Sequence, residues 1–239
     1  AYAFGAADPF IVYDGETYHM FFEVLGEYNI ASQSFTDKVA HAYSNDLVNW
    51  TYTQIVLSQE TDGTRAAYPN VFEYQDSYYM VPDLAGNIET FVATDFPLEW
   101  DYHSTLMEGN FVDTNIFEVG DIWYMTTSEN PYNSIGLYYN TSGDWRNDQW
   151  VMHPAGLIIE EDLTEKGYRG AGNPFVYEDY VVMPVQTTPV ATGVYGQYTS
   201  WYKLSDLSTT TATVEYLGEA VGSQNDGGWA TLAMHHISH

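Results

Sequence analysis

The feature that most restricts this chain is a pattern that occurs four times. Asp8-Pro9-Phe10-Ile11-Val12-Tyr13-Asp14-Gly15-Glu16-Thr17-Tyr18-His19-Met20-Phe21-Phe22 reappears 60 residues on as Tyr68-Pro69-Asn70-Val71-Phe72 through Tyr78-Tyr79-Met80. At 105 residues on it is Asp113-Thr114-Asn115-Ile116-Phe117 through Trp123-Tyr124-Met125, and at 163 it is Ala171-Gly172-Asn173-Pro174-Phe175 through Val181-Val182-Met183. Each copy reads as a short apolar strand, a turn, and a second strand ending in Met. The turns hold Asp14-Gly15, Gln75-Asp76, Gly120-Asp121 and Glu178-Asp179, residue pairs that suit tight hairpins. Intervals of 60, 45 and 58 residues fit a four-stranded unit with loops of varying length, the period of a propeller blade.

The remainder of each copy supports four strands per unit. In the first, a polar loop from Glu27 to Asp37 precedes strands at Val39 to Tyr43 and Thr51 to Leu57, with Asn45-Asp46 turning between them and Trp50 placed to cover the outer edge. The second gives Ile88 to Ala93 and a turn ending at Trp100; the third gives Ile135 to Tyr139, a turn ending at Trp145, and a strand near Trp150. The fourth runs from Pro174 to Gln186, then a loop at Thr187 to Thr192, and strands at Tyr195 to Leu204 and Thr211 to Leu217. Only a fragment follows, Gly227-Gly228-Trp229 and Leu232 to His239. The expectation is therefore an all-β, five-bladed β-propeller, one domain over residues 1–239, its fifth blade completed by N- and C-terminal strands, Tyr2 to Phe4 lying beside the C-terminal segment. Helix is nearly excluded, since no long stretch keeps a period of 3.6.

Charge bounds the partners. With 33 Asp and Glu against six Lys and Arg, the formal charge is -27; nucleic acid and anionic membranes are repelled at long range. Self-repulsion of this size calls for salt or cations to screen it, so the expected setting is extracellular or surface-exposed and salty. No apolar run is long enough to span a bilayer. Cysteine is absent, which removes disulfides and thiolate chemistry. Aromatic side chains make up 17% of the chain and serve both sheet packing and stacking on sugars. Asn49-Trp50-Thr51 and Asn140-Thr141-Ser142 fit the glycosylation pattern, a triplet common by chance.

Inner strands of successive blades converge on the axis, so equivalent positions near their starts form a ring at a pocket mouth. The repeat places Asp8, Tyr68, Asp113 and Ala171 there, with His235 or His236 from the fifth blade. Adjacent residues on a strand face opposite ways, so only one of these histidines enters the pocket. Two carboxylates on one cavity suit glycoside chemistry; they equally suit strand caps or the ligands of a structural cation, for which Ca2+ fits so acidic a chain. Arg169 offers a planar fork for a sugar acid or phosphate, or for a buried pair with Asp113 or Asp8. No phosphate-binding loop, nucleophile elbow or His-Glu-x-x-His pattern occurs, and no cofactor is required.

On Ala7-Asp8-Pro9-Phe10 with Tyr18 to Phe22, Tyr68 to Tyr74 with Tyr78 to Pro82, Arg169-Gly170-Ala171-Gly172, Gln186 with Tyr195-Gly196, and Met234-His235-His236, the chain resembles the five-bladed propeller glycosidases of glycoside hydrolase families 43 and 32. It is more similar still to the domain at the N-terminus of plant glucosamine inositolphosphorylceramide transferases and their microbial relatives. The resemblance implies Asp8 as general base, Asp113 as the aspartate that tunes the acid, and Tyr68, Arg169, Gln186 and His235 as glycan contacts. The general acid of the hydrolases, a glutamate opening the fourth blade, falls on Ala171, which has no proton to give; Glu165, Asp83 or Glu23 would have to replace it. Two functions are thus implied: a glycoside hydrolase-like protein acting on a glycan in the central pocket, or a propeller that binds glycan at a cellular or viral surface without turnover.

Overall fold

A computed structural model describes residues 5–26, 28–29, 34–35, 37–57, 65–129, 133–162, 166–193 and 195–222. It is all-β: three large antiparallel sheets of four, seven and five strands, and a two-stranded ribbon. The chain falls into two compact units that divide between Phe111 and Val112.

In the first unit, β1 (Gly5–Tyr13), β2 (Tyr18–Leu25), β5 (Lys38–Ser44) and β6 (Thr51–Leu57) form one sheet in that order, with β3 (Tyr28–Asn29) and β4 (Ser34–Phe35) paired on the loop. Next come β7 (Ala67–Tyr74), β8 (Ser77–Asp83), β9 (Gly86–Asp95) and the first part of β10 (Glu99–Val119). The hairpin turns form for local reasons. The Asp14 carboxylate accepts from the backbone N–H of Glu16 and Thr17 at 2.8 and 2.7 Å, and Gln75 and Asp76 both take positive φ (51° and 59°), the signature of a type I′ turn. Phe21, Val39, Leu57, Val71, Met80, Phe91 and Trp100 make the core of this unit. Trp100 meets Phe21 edge to face at 5.5 Å while its indole N–H donates to Pro97 at 3.0 Å, so the recurring Trp after the turn closes a sheet margin.

The first sheet is also tied internally by a polar chain that runs from half-buried Thr53 through the buried His41 and His19 to the exposed Asp14. His41 Nδ1 lies 2.8 Å from Thr53 Oγ1, His41 Nε2 lies 3.0 Å from His19 Nδ1, and His19 Nε2 lies 3.0 Å from Asp14 Oδ2. The Thr53 hydroxyl donates to the His41 carbonyl, so it accepts from His41 Nδ1–H. Burial, and then the His19 charge, push His41 down to about 4.

The second unit begins with the rest of β10, paired to β11 (Ile122–Glu129), β12 (Ile135–Asn140) and β13 (Trp150–Ile159). β14 (Lys166–Gly170) and β15 (Phe175–Tyr177) both lie along β16 (Tyr180–Pro189), followed by β17 (Tyr198–Ser205) and β18 (Thr213–Gly222). Phe117, Tyr124, Ile135, Leu137, Ile159, Val181, Met183, Val185 and Leu204 form its core. One expectation shifts here. The loop foreseen at Thr187 begins later, because β14, a strand the repeat did not reveal, pairs Tyr168 with Thr187 and Lys166 with Pro189 and so extends β16. The expected strand at Tyr2 to Phe4 and the fifth-blade segment from Gly227 to His239 lie outside the described residues.

Candidate functional site

The ring positions are marked by backbone as well as by sequence. In β1 the register slips between Ala7 and Phe10, in β7 between Ala67 and Asn70, and the residue entering each slip has positive φ: Asp8 at 47°, Tyr68 at 43°. Asp113 repeats the conformation at 54° in β10. A non-glycine residue in this region is uncommon, and a bulge re-aims its side chain away from the sheet face; three equivalent copies point to a built feature, of the kind that gathers at functional sites. The fourth copy departs. Residues 171–174 leave the ladder between β14 and β15, Gly172 rather than Ala171 carries the positive φ (131°), and Gln186 stands opposite Arg169. Ala171 is fully buried, its N–H bonded to Pro184 O at 3.1 Å.

In the second unit Arg169 and Asp113, 56 residues apart, form a two-pronged ion pair: Nε to Oδ2 at 2.6 Å and Nη2 to Oδ1 at 2.9 Å. Nη1 donates to the Tyr195 hydroxyl at 2.8 Å. Asp113 is almost wholly buried, where a carboxylate needs such a partner. Thr127 and Thr114 share a hydroxyl hydrogen bond of 2.8 Å beside it, and Asn115 is buried next in line. Gln186 is buried on β16. The pair with Asp113, one of the two roles the sequence leaves open for Arg169, is present.

In the first unit Tyr68 is buried, its ring edge-on to Phe10 at 4.9 Å. Asp8 is half-buried. Across the ladder from Ala7 stands Glu23, and around it is a cluster that sequence order scatters. Arg65 places Nε 3.2 Å from Asp37 Oδ2 and Nη2 3.8 Å from both Glu23 Oε1 and Asp83 Oδ2. Glu23, Asp37 and Asp83 are all buried. Burial first, then the Asp8 charge, push Glu23 up to about 9 against the opposing pull of Arg65. A carboxyl that keeps its proton next to one that ionises is the arrangement acid–base chemistry needs. Among the described residues no group of three or more His, Asp or Glu is disposed to hold a metal ion; in the acidic trio the positive charge is Arg65, so these residues do not fit a Ca2+ site.

The signal for Glu23 was in the repeat. Counting 15 residues from each ring position gives Glu23, Asp83, Ser128 and Gln186, polar and buried in all four copies. Arg65 and Asp37 carry no such mark. Glu165, His235 and His236 lie outside the described residues.

Residues 3–238 match the family described as Glucosamine inositolphosphorylceramide transferase 1, N-terminal. The rice (Oryza sativa subsp. indica) glucosamine inositolphosphorylceramide transferase 1 is 26% identical over 246 residues, covering 97% of this chain and 30% of that protein, so the chain spans less than a third of the relative's length. Among solved structures, a putative glycosidase from Bacteroides thetaiotaomicron superposes with a TM-score of 0.73 at 10% identity, covering 98% of this chain and 79% of the other. The α-L-arabinofuranosidase of Podospora anserina, solved with cellotriose, gives 0.65 at 14%, covering 99% and 81%. At such identities the likeness is one of fold, that of the carbohydrate-active β-propellers.

Proposed function

Because this chain belongs to the family of the glucosamine inositolphosphorylceramide transferase 1 N-terminal domain, we propose that it is a five-bladed, single-domain propeller acting on a glycan at the starts of its inner strands. The observation that carries this is the positive φ repeated at Asp8, Tyr68 and Asp113, at the first two of which the strand register also slips. Asp8 is the base that takes a proton from water. Ala171 cannot be the acid, and Glu23, which keeps its proton beside Asp8, gives it to the leaving glycosidic oxygen. Water adds at the anomeric carbon as the bond to that oxygen breaks, and exchange with solvent restores both carboxyls. Asp113 is matched by Arg169 within the second unit, which supports a structural role for it rather than tuning of the acid. We place this activity outside the cell or at its surface, in salt, on the charge balance alone. The transferase activity in the relatives' name belongs to much longer proteins and is no part of the proposal.

A second reading, glycan binding without turnover, draws support from Ala171 and from the commitment of Asp113 to Arg169. An oligosaccharide screen at high salt, reading binding and product release together, separates the two. Asp8→Asn and Glu23→Gln should each lower turnover by about 10²–10⁴-fold with binding kept. Binding without any product in the wild type selects the second reading, and no binding at all overturns both.

A further inference from the structure

Three buried carboxyls of the first unit share the Arg65 guanidinium, and what surrounds each of them differs. Asp37 Oδ1 accepts from the Gly26 N–H at 3.1 Å, its Oδ2 lies 3.2 Å from Arg65 Nε, and its backbone carbonyl accepts from the Ala66 N–H at 3.0 Å. Asp83 Oδ1 accepts from the Ala85 N–H at 2.7 Å, and its Oδ2 lies 3.8 Å from Arg65 Nη2. Each aspartate is thus met by a backbone donor on one oxygen and by the cation on the other, which favours its ionised form. Glu23 has the guanidinium 3.8 Å from Oε1 and a side-chain hydrogen bond to Asp37. Two carboxyls can bond each other only through a proton that one of them carries. With Asp37 held as the acceptor, that proton belongs to Glu23.

We propose that Asp37 and Arg65 are positioning residues for the Glu23 proton, Asp37 fixing it on the glutamate carboxyl and Arg65 limiting how firmly it is held. The inference rests on the acid role given to Glu23 above and deepens it. Among the described residues, the charged groups facing Glu23 are Asp8 on β1, Asp37 ahead of β5, Arg65 ahead of β7 and, across the guanidinium, Asp83 on β8. Asp8 and Asp37 oppose a negative charge on Glu23, and Arg65 favours one. A general acid has to keep its proton until the bond breaks and then release it. The aspartates serve the first requirement; the arginine serves the second. Substitutions at the two positions should therefore act in opposite directions on one and the same proton.

The test follows the carboxyl carbon resonance of Glu23 against pH in the sugar-free protein, the signal being identified by its loss in Glu23→Gln, together with the pH profile of turnover. Asp37→Asn removes a like charge and should lower the Glu23 midpoint, and the alkaline limb of turnover with it, by about one pH unit or more. Arg65→Gln should raise both, and Arg65→Lys, which keeps a cation, should hold the midpoint close to that of the wild type. Melting curves establish that each variant is folded; if Arg65→Gln is not, Asp37→Asn and Arg65→Lys decide. A midpoint that stays in place in Asp37→Asn, or that moves the same way in Asp37→Asn and Arg65→Gln, overturns the inference even where activity falls, because a merely structural role lowers activity without moving the midpoint. If the midpoints move as expected while the wild type releases no product, the assignment of the proton to Asp37 and Arg65 stands and the acid role of Glu23 falls.

Discussion

Burial and the neighbouring Asp8 charge keep a proton on Glu23 up to about pH 9. Between its ordinary range near 4.5 and that value, the folded chain holds a proton that the unfolded chain has released. Its contribution is fully present below the unfolded value and is lost as pH rises through the folded one. Glu23→Gln should therefore gain on the wild type as pH rises, read as urea midpoints from pH 5 to pH 9; a constant gap between the two proteins would contradict this. Arg169 makes the complementary case. Removing it leaves Asp113 charged and buried, so Arg169→Ala should destabilise by about 3–5 kcal/mol, while the double variant with Asp113→Asn regains much of the loss. Additive effects in that cycle would mean that the pair contributes nothing as a pair.

Hairpins were the legible elements. Alternation and turn residues mark β1–β2 and β7–β8 because both signals are local, and the same holds for the outer strands after Asp46 and Pro97. β14 was not legible: five residues, Lys166 to Gly170, hold too little pattern, and their pairing depends on β16. The ring residues could be aligned from the repeat, yet their positive φ could not, since a bulge is a mismatch between two strands and belongs to neither. Nor could the Glu23 proton be foreseen, as it depends on burial and on the distant Arg65 and Asp37. Turn geometry itself is open to test. Asp76 holds φ at 59°, a conformation glycine adopts without strain, so Asp76→Gly should raise stability by up to about 1 kcal/mol. A lower melting point would show that the Asp76 side chain contributes more than its backbone strain costs.

At the scale of the molecule the charge dominates. With 33 acidic side chains and six basic ones, adding salt should relieve repulsion in the compact state, and the melting point should climb between about 0.1 M and about 3 M NaCl. A flat or falling curve would count against a salty setting. The division between the two units has a different bearing. Compact units are ordinarily joined by linkers, where proteases cut and where evolution exchanges modules. Here the seam falls inside β10, a single strand of 21 residues, whose first part hydrogen-bonds to β9 and whose last part borders β11. Val112 to Phe117, on one side of it, are buried, while Glu108 to Asn110, on the other, are exposed. Neither unit can then be lifted out as a cassette, for the cut would leave both fragments with a half-strand at a raw edge. The portable piece of this chain is the hairpin repeat, and insertions that lengthen or shorten it belong in the loops between copies.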